Sequence, residues 1–263
     1  MEIFADKICQ IAKIPQEQFH WQEECSSTND LAKKLAQDGA LHGTVVMARR
    51  QTAGRGRMGR TFLSPEGGVY LSVILRPQIP ATELLNLTPR LALCAMHAVE
   101  ESCHILPQIK WINDLVINGK KVAGILTELG LDEKGNCAYA VCGVGVNCNG
   151  SRDEFPADLQ KTTTSLQEET GKEIDISLLA GTLVREILTL LQTAPQGQME
   201  EYRKNCLTVG KAVQLLRGET IIPATAENVD DDGGLWVCYE DGTREKVTSG
   251  EVSVRGLYGY VSP

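Results

Sequence analysis

Residues 49–60 read Arg49-Arg-Gln-Thr-Ala-Gly-Arg-Gly-Arg-Met-Gly-Arg60, five arginines in twelve residues of a chain whose formal net charge is −8. Positive charge gathered locally in an acidic chain, with almost nothing apolar to bury, predicts a mobile loop that meets an anionic ligand. The glycines serve the same chemistry, because a residue without Cβ accepts left-handed φ and lets backbone N–H groups approach an oxyanion. A solvated basic loop is the plainer alternative.

A second group of polar residues stands among apolar ones: Lys110-Trp-Ile-Asn-Asp114, then Lys120-Lys121-Val-Ala-Gly124. A lysine or aspartate at the edge of a core strand has to be paired or solvated, so folding alone would make a Lys110–Asp114 or Lys121–Asp114 ion pair. A third group is Ser26-Ser27-Thr28-Asn29-Asp30. One of its side chains suffices to cap the helix that follows, which leaves others for a ligand. No Gly-x-x-x-x-Gly-Lys-Ser/Thr, Gly-x-Ser-x-Gly or His-Glu-x-x-His occurs. Gly54-Arg-Gly-Arg-Met-Gly59 satisfies Gly-x-Gly-x-x-Gly by count but runs on into Pro65, not into a helix, so a dinucleotide fold is excluded on context. His97 has no partner signal and reads as structural.

Composition narrows the classes further. A chain of 263 residues, 42% hydrophobic and 23% charged, is an ordinary globular balance for one large or two modest domains. The acidic balance argues against a general binder of nucleic acid or membrane surfaces. The nine cysteines contain no Cys-x-x-Cys pair and read as reduced thiols, mostly core fillers, of a cytoplasmic protein. No apolar run approaches the length of a membrane span, and the first residues lack the pattern of an export signal.

These groups need elements to hold them. Residues 1–20 read as a short lead with weak helical periodicity broken at Pro15. A helix is predicted over 29–38, closed by Gly39, and strands over 44–49 and 68–75 carry the Arg/Gly loop between them. Thr88 and Pro89 supply N-cap and N1 of a core helix. Strands over 109–112, 114–118 and 121–129 follow, with Asn118-Gly119 as a two-residue hairpin turn, and then a strand over 138–147. Beyond a polar crossing, 174–191 is an amphipathic helix and 198–205 a last turn or two. From about 207 the texture changes to short β runs over 212–216, 221–228, 235–239, 245–247 and 252–254, separated by Asp/Gly turns, which predicts a small five-strand barrel.

In order and spacing, Ser27-Thr28-Asn29, the run from Gln51 to Arg60 with Ser64-Pro65 and Tyr70-Leu-Ser, Lys110-Trp-Ile-Asn-Asp114, Lys121-Val-Ala-Gly-Ile-Leu and Gly143-Val-Gly-Val-Asn147 resemble the biotin protein ligases. Gly250-Glu-Val-Ser-Val-Arg255 resembles the end of that family's small C-terminal unit. Two departures stand out: Ile112 where the family usually has proline, and Phe62 where many relatives have tryptophan. The resemblance implies an α+β fold, a mostly antiparallel mixed sheet packed against helices in class II synthetase-like fashion over 1–206, then an SH3-like β-barrel over 207–263. It implies that ATP and biotin give biotinyl-5′-AMP and pyrophosphate, and that biotin then passes to a lysine of a biotin carboxyl carrier protein domain. By resemblance the chemistry falls to Lys121, Arg55, Arg57, Asp114, Asn113 and Lys110. Biotin would meet Ser27, Thr28, Asn29, Gln51, Gly54 and Gly124 together with Arg55, Arg57 and Lys121. The nucleotide would meet Arg55, Arg57, Arg60, Phe62, Asn113, Lys121 and Asn147, with Mg²⁺ held through phosphates and Asp114 as its candidate protein ligand. The winged helix of bifunctional relatives is missing, so no DNA partner is expected, nor a membrane. A homodimer through a sheet edge is a further implication. A lipoate ligase is the near alternative, opposed by the Gly-Arg-Gly-Arg loop and the ending at Arg255. A non-catalytic RNA-binding protein is the distant one, opposed by the acidic balance and the absence of interleaved aromatic residues.

Overall fold

A computed structural model describes residues 4–248 and 253–256 of the chain. In order these form α1 (Ala5–Ala12), β1 (Phe19–Cys25), α2 (Thr28–Gln37), β2 (Val45–Gln51), β3 (Val69–Leu75), α3 (Leu87–Cys103), β4 (Gln108–Lys110), β5 (Asp114–Ile117), β6 (Lys120–Leu131) and β7 (Cys137–Val146). Four helices follow, α4 (Ala157–Gln160), α5 (Leu166–Thr170), α6 (Ile176–Thr189) and α7 (Pro195–Asn205), and then β8 (Ala212–Arg217), β9 (Thr220–Val229), β10 (Leu235–Cys238), β11 (Arg244–Val247) and β12 (Ser253–Gly256).

The first seven strands make one sheet in the order β1-β2-β3-β7-β6-β5-β4. Only the β1–β2 pair is parallel, which makes the sheet mixed and mostly antiparallel as expected. Period-two alternation separates its two faces. Val45, Met47, Leu71, Val73, Ile125, Cys142 and Val144 point to the main core, where α1, α3 and α6 cover them. The other face is covered only in part, by α2, over a small cluster that includes Ala32, Val46, Ile74 and Val141. Beyond α2 that face carries Ser72, Gly143, Gly145 and Gly124, residues too small to fill the space above them. A hollow therefore opens where the sheet is richest in glycine.

Several local expectations shift. Strand β1 starts at the end of the short lead read over 1–20 and runs on through 21–25, where the sequence suggests no element. Phe19 and Trp21 pack partly on the core, but Glu23 and Glu24, on opposite faces, are both exposed, so this edge strand carries no clean alternation to read. Helix α3 begins at Leu87 with Asn86 before it, so Thr88 and Pro89 lie inside the first turn and do not cap it. Thr88 instead meets Thr127 Oγ1 at 2.5 Å, a contact across to β6 that no local signal encodes. Asn118 and Gly119 both take positive φ, 50° and 76°, and turn β5 into β6 as their types predict.

The last five strands form a second sheet in the order β11-β10-β9-β8-β12. Residues 250–252 of the ending that carries the resemblance lie outside the described residues, whereas 253–256 pair with β8. The turn at 230–234 reaches back to the larger unit. Trp111 Nε1 donates to Gly233 O at 2.9 Å, and Asn86 Nδ2 donates to Asp231 O at 2.8 Å. Among the described residues no helix is long and apolar enough to cross a membrane.

Candidate active site

Strand register alone lines up much of the site. Tyr70 pairs with Gly145, Gly145 with Gly124, Gly124 with Asp114, and Asp114 with Lys110, one row across five strands on the glycine-bearing face. The next row runs Ser72, Gly143, Leu126. Phe62 comes down over the first row: a Cβ on Gly145 would lie 2.5 Å from its ring, and one on Gly124 would lie 3.0 Å away. The aromatic wall therefore depends on two glycines beneath it, and its ring meets Tyr70 edge-on at 6.3 Å between centroids.

The loop between β2 and β3 lies over this floor and is tied to itself. Gly56 N donates to Arg60 O at 2.7 Å and Phe62 N to Gly54 O at 2.8 Å, with a helical turn at 57–59 in which Met58 takes φ 55°. The segment that composition reads as a mobile loop thus has hydrogen bonds of its own. Its arginines reach different walls. Arg57 Nη1 donates to Asn113 Oδ1 at 3.0 Å, bringing the loop onto the turn after β4. Burial pulls the Arg57 guanidinium below its ordinary pKa, while the nearby Asp114 charge acts in the opposite sense. Arg55 Nη1 donates to Asp30 Oδ1 at 2.5 Å and lies 3.3 Å from Glu128 Oε1. Hydrogen bonding to Asp30 is the main reason that its pKa is raised.

At the far end of the hollow, Ser27 caps α2, its Oγ accepting from Asp30 N at 3.4 Å. Thr28 is the next member of a polar chain: its backbone N and Oγ1 both donate to Gln51 Oε1, at 2.8 and 3.1 Å. Gln51 Nε2 donates to Ser64 Oγ at 2.7 Å. Ser72, fully buried, donates to Asn29 Oδ1 at 2.7 Å and lies 2.9 Å from Thr28 Oγ1. Such a chain fixes which way each donor and acceptor points, as a small polar ring in an apolar pocket requires.

The cationic end is built on β4, β5 and β6. Lys121 Nζ lies 2.6 Å from Asp114 Oδ1 and 5.5 Å from the Phe62 ring centroid. Lys110 is buried beside them in register with Asp114. The turn 111–113, with a cis Trp111–Ile112 peptide, is held from behind. Trp111 N donates to Thr208 Oγ1 at 2.9 Å, and the Tyr202 hydroxyl donates to Ile112 O at 3.2 Å.

One cavity is lined by Ser27, Thr28, Asn29, Gln51, Arg55, Arg57, Arg60, Phe62, Lys110, Asn113, Asp114, Lys121 and Gly124. The candidate residues left out of its lining are Gly54 and Asn147. A Cβ on Gly54 would lie 2.3 Å from Phe62 O and 2.7 Å from Ser64 Oγ, so it serves the close fold of the loop. Asn147 Nδ2 donates to Thr164 O at 3.1 Å, turned toward the segment before α5. Lys121 and Asp114 form the ion pair that folding alone would make, and the pair also lines the cavity.

Glu128 was not singled out from the sequence, and Asp30 only as a member of the group before α2. Glu128 follows Gly124 and Leu126 at period two on β6, the signal that would place it on this face. It meets Lys33 Nζ at 2.7 Å and accepts from Asn29 Nδ2 at 3.1 Å. Burial works to raise its pKa, but the hydrogen bonds from Lys33 and Asn29 and the charge of Arg55 outweigh it and hold the carboxyl below its ordinary value. A carboxyl with a depressed folded pKa stabilises the fold above the unfolded pKa, and that stability is lost as pH falls through the folded value. The gap in unfolding free energy between wild type and Glu128→Gln is therefore expected to be full near neutral pH and to close below about pH 4, read by urea titration.

The profile of the Biotin/lipoate A/B protein ligase family matches residues 21–147, and that of the Biotin protein ligase C terminal domain matches 208–255. The chain is 35% identical over 242 residues to the bifunctional ligase/repressor BirA of Bacillus spizizenii, covering 89% of this chain and 73% of that protein. It is 37% identical over 227 residues to the biotin–[acetyl-CoA-carboxylase] ligase of Paracoccus denitrificans, covering 80% and 89%. Among solved structures it resembles the biotin protein ligase from Aquifex aeolicus in complex with biotin and ATP, with TM-score 0.76 and 32% identity over 90% of this chain and 98% of that one. The Leishmania major ligase in complex with biotinyl-5-AMP gives TM-score 0.62 and 26% identity over 88% and 98%.

Proposed function

The chain belongs to the biotin protein ligase family, and from that premise we propose that its cavity activates biotin with ATP as biotinyl-5′-AMP and passes it to a lysine of a biotin carboxyl carrier protein domain. The observation that carries the reading is the joining, in one hollow, of a directed polar chain at one end and a cationic cluster at the other. The match to the Biotin protein ligase C terminal domain favours biotin over lipoate.

In the first step a carboxylate attacks the α-phosphate of a polyanion, so like charges must be brought together and the developing charge compensated. Lys121, Lys110 and Arg57 stand at the cationic end for that purpose, and Asn113, already bonded to Arg57, orients the loop there. Arg60 and Phe62 are the proposed wall for the nucleotide, and Arg55 is assigned to both ligands. Thr28 and Gln51, with Ser27, Asn29 and Gly124 around them, form the proposed seat of the ureido ring. Gly54 serves this seat by keeping Gln51 and Phe62 close, whereas the orientation of Asn147 supports an indirect role. A magnesium ion held through phosphates fits this donor set, because such sites take one or two carboxylates and complete their shell from substrate. Asp114 is the carboxylate at hand, and the ion would add charge neutralisation. In the second step the attacking lysine must be neutral, and Asp114 is the proposed group that orients or deprotonates it.

We assign residues 1–206 to the catalytic unit and 207–263 to an SH3-like barrel, in keeping with the five-strand order and the inward reach of its 230–234 turn. The β1 edge is the proposed place for a second copy. The test is pyrophosphate release from ATP with biotin or with lipoate, followed by label transfer to a biotin carrier domain. Release and transfer with biotin are expected. Release with lipoate alone overturns the specificity, and release with neither overturns the enzyme.

A further inference from the structure

We infer that Glu128 is a positioning residue for biotin activation, holding Arg55 of the Arg/Gly loop and Asn29 of α2 against the sheet. The inference rests on the biotin reading above. Glu128 stands on β6 beyond the lining of the cavity, so it acts through these two residues.

Its two oxygens share the work, since Arg55 Nη1 donates to Oε2 at 3.4 Å and also lies close to Oε1. Oε2 accepts from Asn29 Nδ2 at 3.1 Å while Ser72 donates to Asn29 Oδ1 at 2.7 Å, so the Asn29 amide is gripped at both ends and its direction is fixed. Oε1 lies 2.7 Å from Lys33 Nζ and 3.3 Å from Arg55 Nη1. Arg55 already has Asp30 at 2.5 Å, so charge balance does not require a second carboxylate. Glu128 adds direction: Asp30 ties the guanidinium to α2, and Glu128 ties it to the sheet. Arg55 carries five N–H donors, and two carboxylates engaging one nitrogen keep the head over the hollow it lines while other donors stay available. Losing one of them frees the loop on the side of the cavity that faces biotin.

A merely structural ion pair would lower the fraction of active enzyme and leave KM unchanged. A positioning role raises KM for biotin and disappears once Arg55 is gone. The experiment is a double-mutant cycle with Glu128→Gln and Arg55→Ala, read as kcat and KM for biotin in pyrophosphate release. Glu128→Gln keeps an acceptor for Asn29 and removes the charge. It is expected to raise KM for biotin about tenfold beside Arg55 and to add little in the Arg55→Ala background. Equal costs in both backgrounds, or a fall in kcat alone, overturn the proposal. A second measurement needs no substrate: trypsin cleavage after Arg55 is expected to be several-fold faster in Glu128→Gln than in wild type, as for a loosened segment. Unchanged cleavage overturns the tie between Glu128 and the loop. Wild type that releases no pyrophosphate with biotin defeats the biotin reading and the catalytic half of this one, and the trypsin comparison then still reports on the tie by itself.

Discussion

Lys121→Ala is expected to lower biotin-dependent pyrophosphate release by a factor on the order of 10²–10³, the usual cost of removing one preorganised charge from a transition state. The size follows from the environment. Lys121 is 23% exposed and Asp114 11%, so the ammonium acts in a partly water-excluded place. The same substitution takes one partner from a largely buried carboxylate, and because some solvent still reaches the pair the expected loss of stability is about 1–2 kcal/mol, less than for a fully buried pair. Two effects from one substitution invite confusion, and Asp114→Asn in the Lys121→Ala background separates them. Removing the charge left behind is expected to restore part of the unfolding free energy while pyrophosphate release stays well below that of Asp114→Asn alone. If activity returns together with stability, Lys121 is a structural partner of Asp114 and the chemistry lies elsewhere. Calorimetric melting and a pyrophosphate assay on Lys121→Ala, Asp114→Asn and the double variant decide it.

That ambiguity was already present in the chain, and it marks where reading residues stops. A lysine and an aspartate at the ends of adjoining apolar runs say that they must be paired or solvated, and both outcomes look alike in one dimension. The Asn118-Gly119 turn was legible because its backbone demand is local. So was the helix after Ser27, where a hydroxyl, an i, i+4 apolar pair and a closing glycine all fall within one segment. The Arg/Gly loop was legible as a connection between two strands but not as to shape: its internal bonds between Gly56 and Arg60 and between Gly54 and Phe62 depend on a path that composition does not specify. Nor does composition say that Arg55 rests on the chain's own Asp30 and Glu128. Strand β1 was missed because an edge strand carries glutamates where an inner one carries valines. Thr88 looked like a cap because Thr-Pro is a good local start, and the observed start two residues earlier is set by burial of Leu87 and Leu91. Least legible of all was register. The row from Tyr70 to Lys110 draws on five strands, and its alignment arises from pairings that sequence separation hides.

Register also yields the second large effect, at Gly143. Ser72 and Leu126 flank it, and a Cβ built there would lie 1.9 Å from Asn29 Oδ1 and 2.8 Å from its Cγ. A flexible neighbour could yield, but Asn29 is buried, bonded to Ser72 and Glu128, and anchored in the first turn of α2. Gly143→Ala is therefore expected to cost about 2–3 kcal/mol of stability through overpacking and to weaken biotin binding at least about tenfold as the Thr28–Asn29–Ser72 chain comes apart. The backbone is not the obstacle, because φ at Gly143 is not in the left-handed region. Gly197→Ala supplies the control: Gly197 lies in α7 with nothing within 4 Å of the added Cβ, and alanine there is expected to be neutral or to stabilise by up to about 1 kcal/mol. Adding Asn29→Ala to Gly143→Ala removes the atom that clashes. Gly143→Ala should then cost little stability beyond Asn29→Ala alone, which leaves Ser72 and Glu128 short of a partner, while biotin affinity, measured by titration calorimetry, stays low, because the fixed amide that the pocket presents is gone. Recovery of affinity as well would mean that Gly143 guards only the packing of α2 on the sheet and that biotin is seated without Asn29. An undiminished cost of Gly143→Ala in the Asn29→Ala background would mean that the added methyl group meets something less yielding than a side chain, and the overpacking argument from Asn29 would fall.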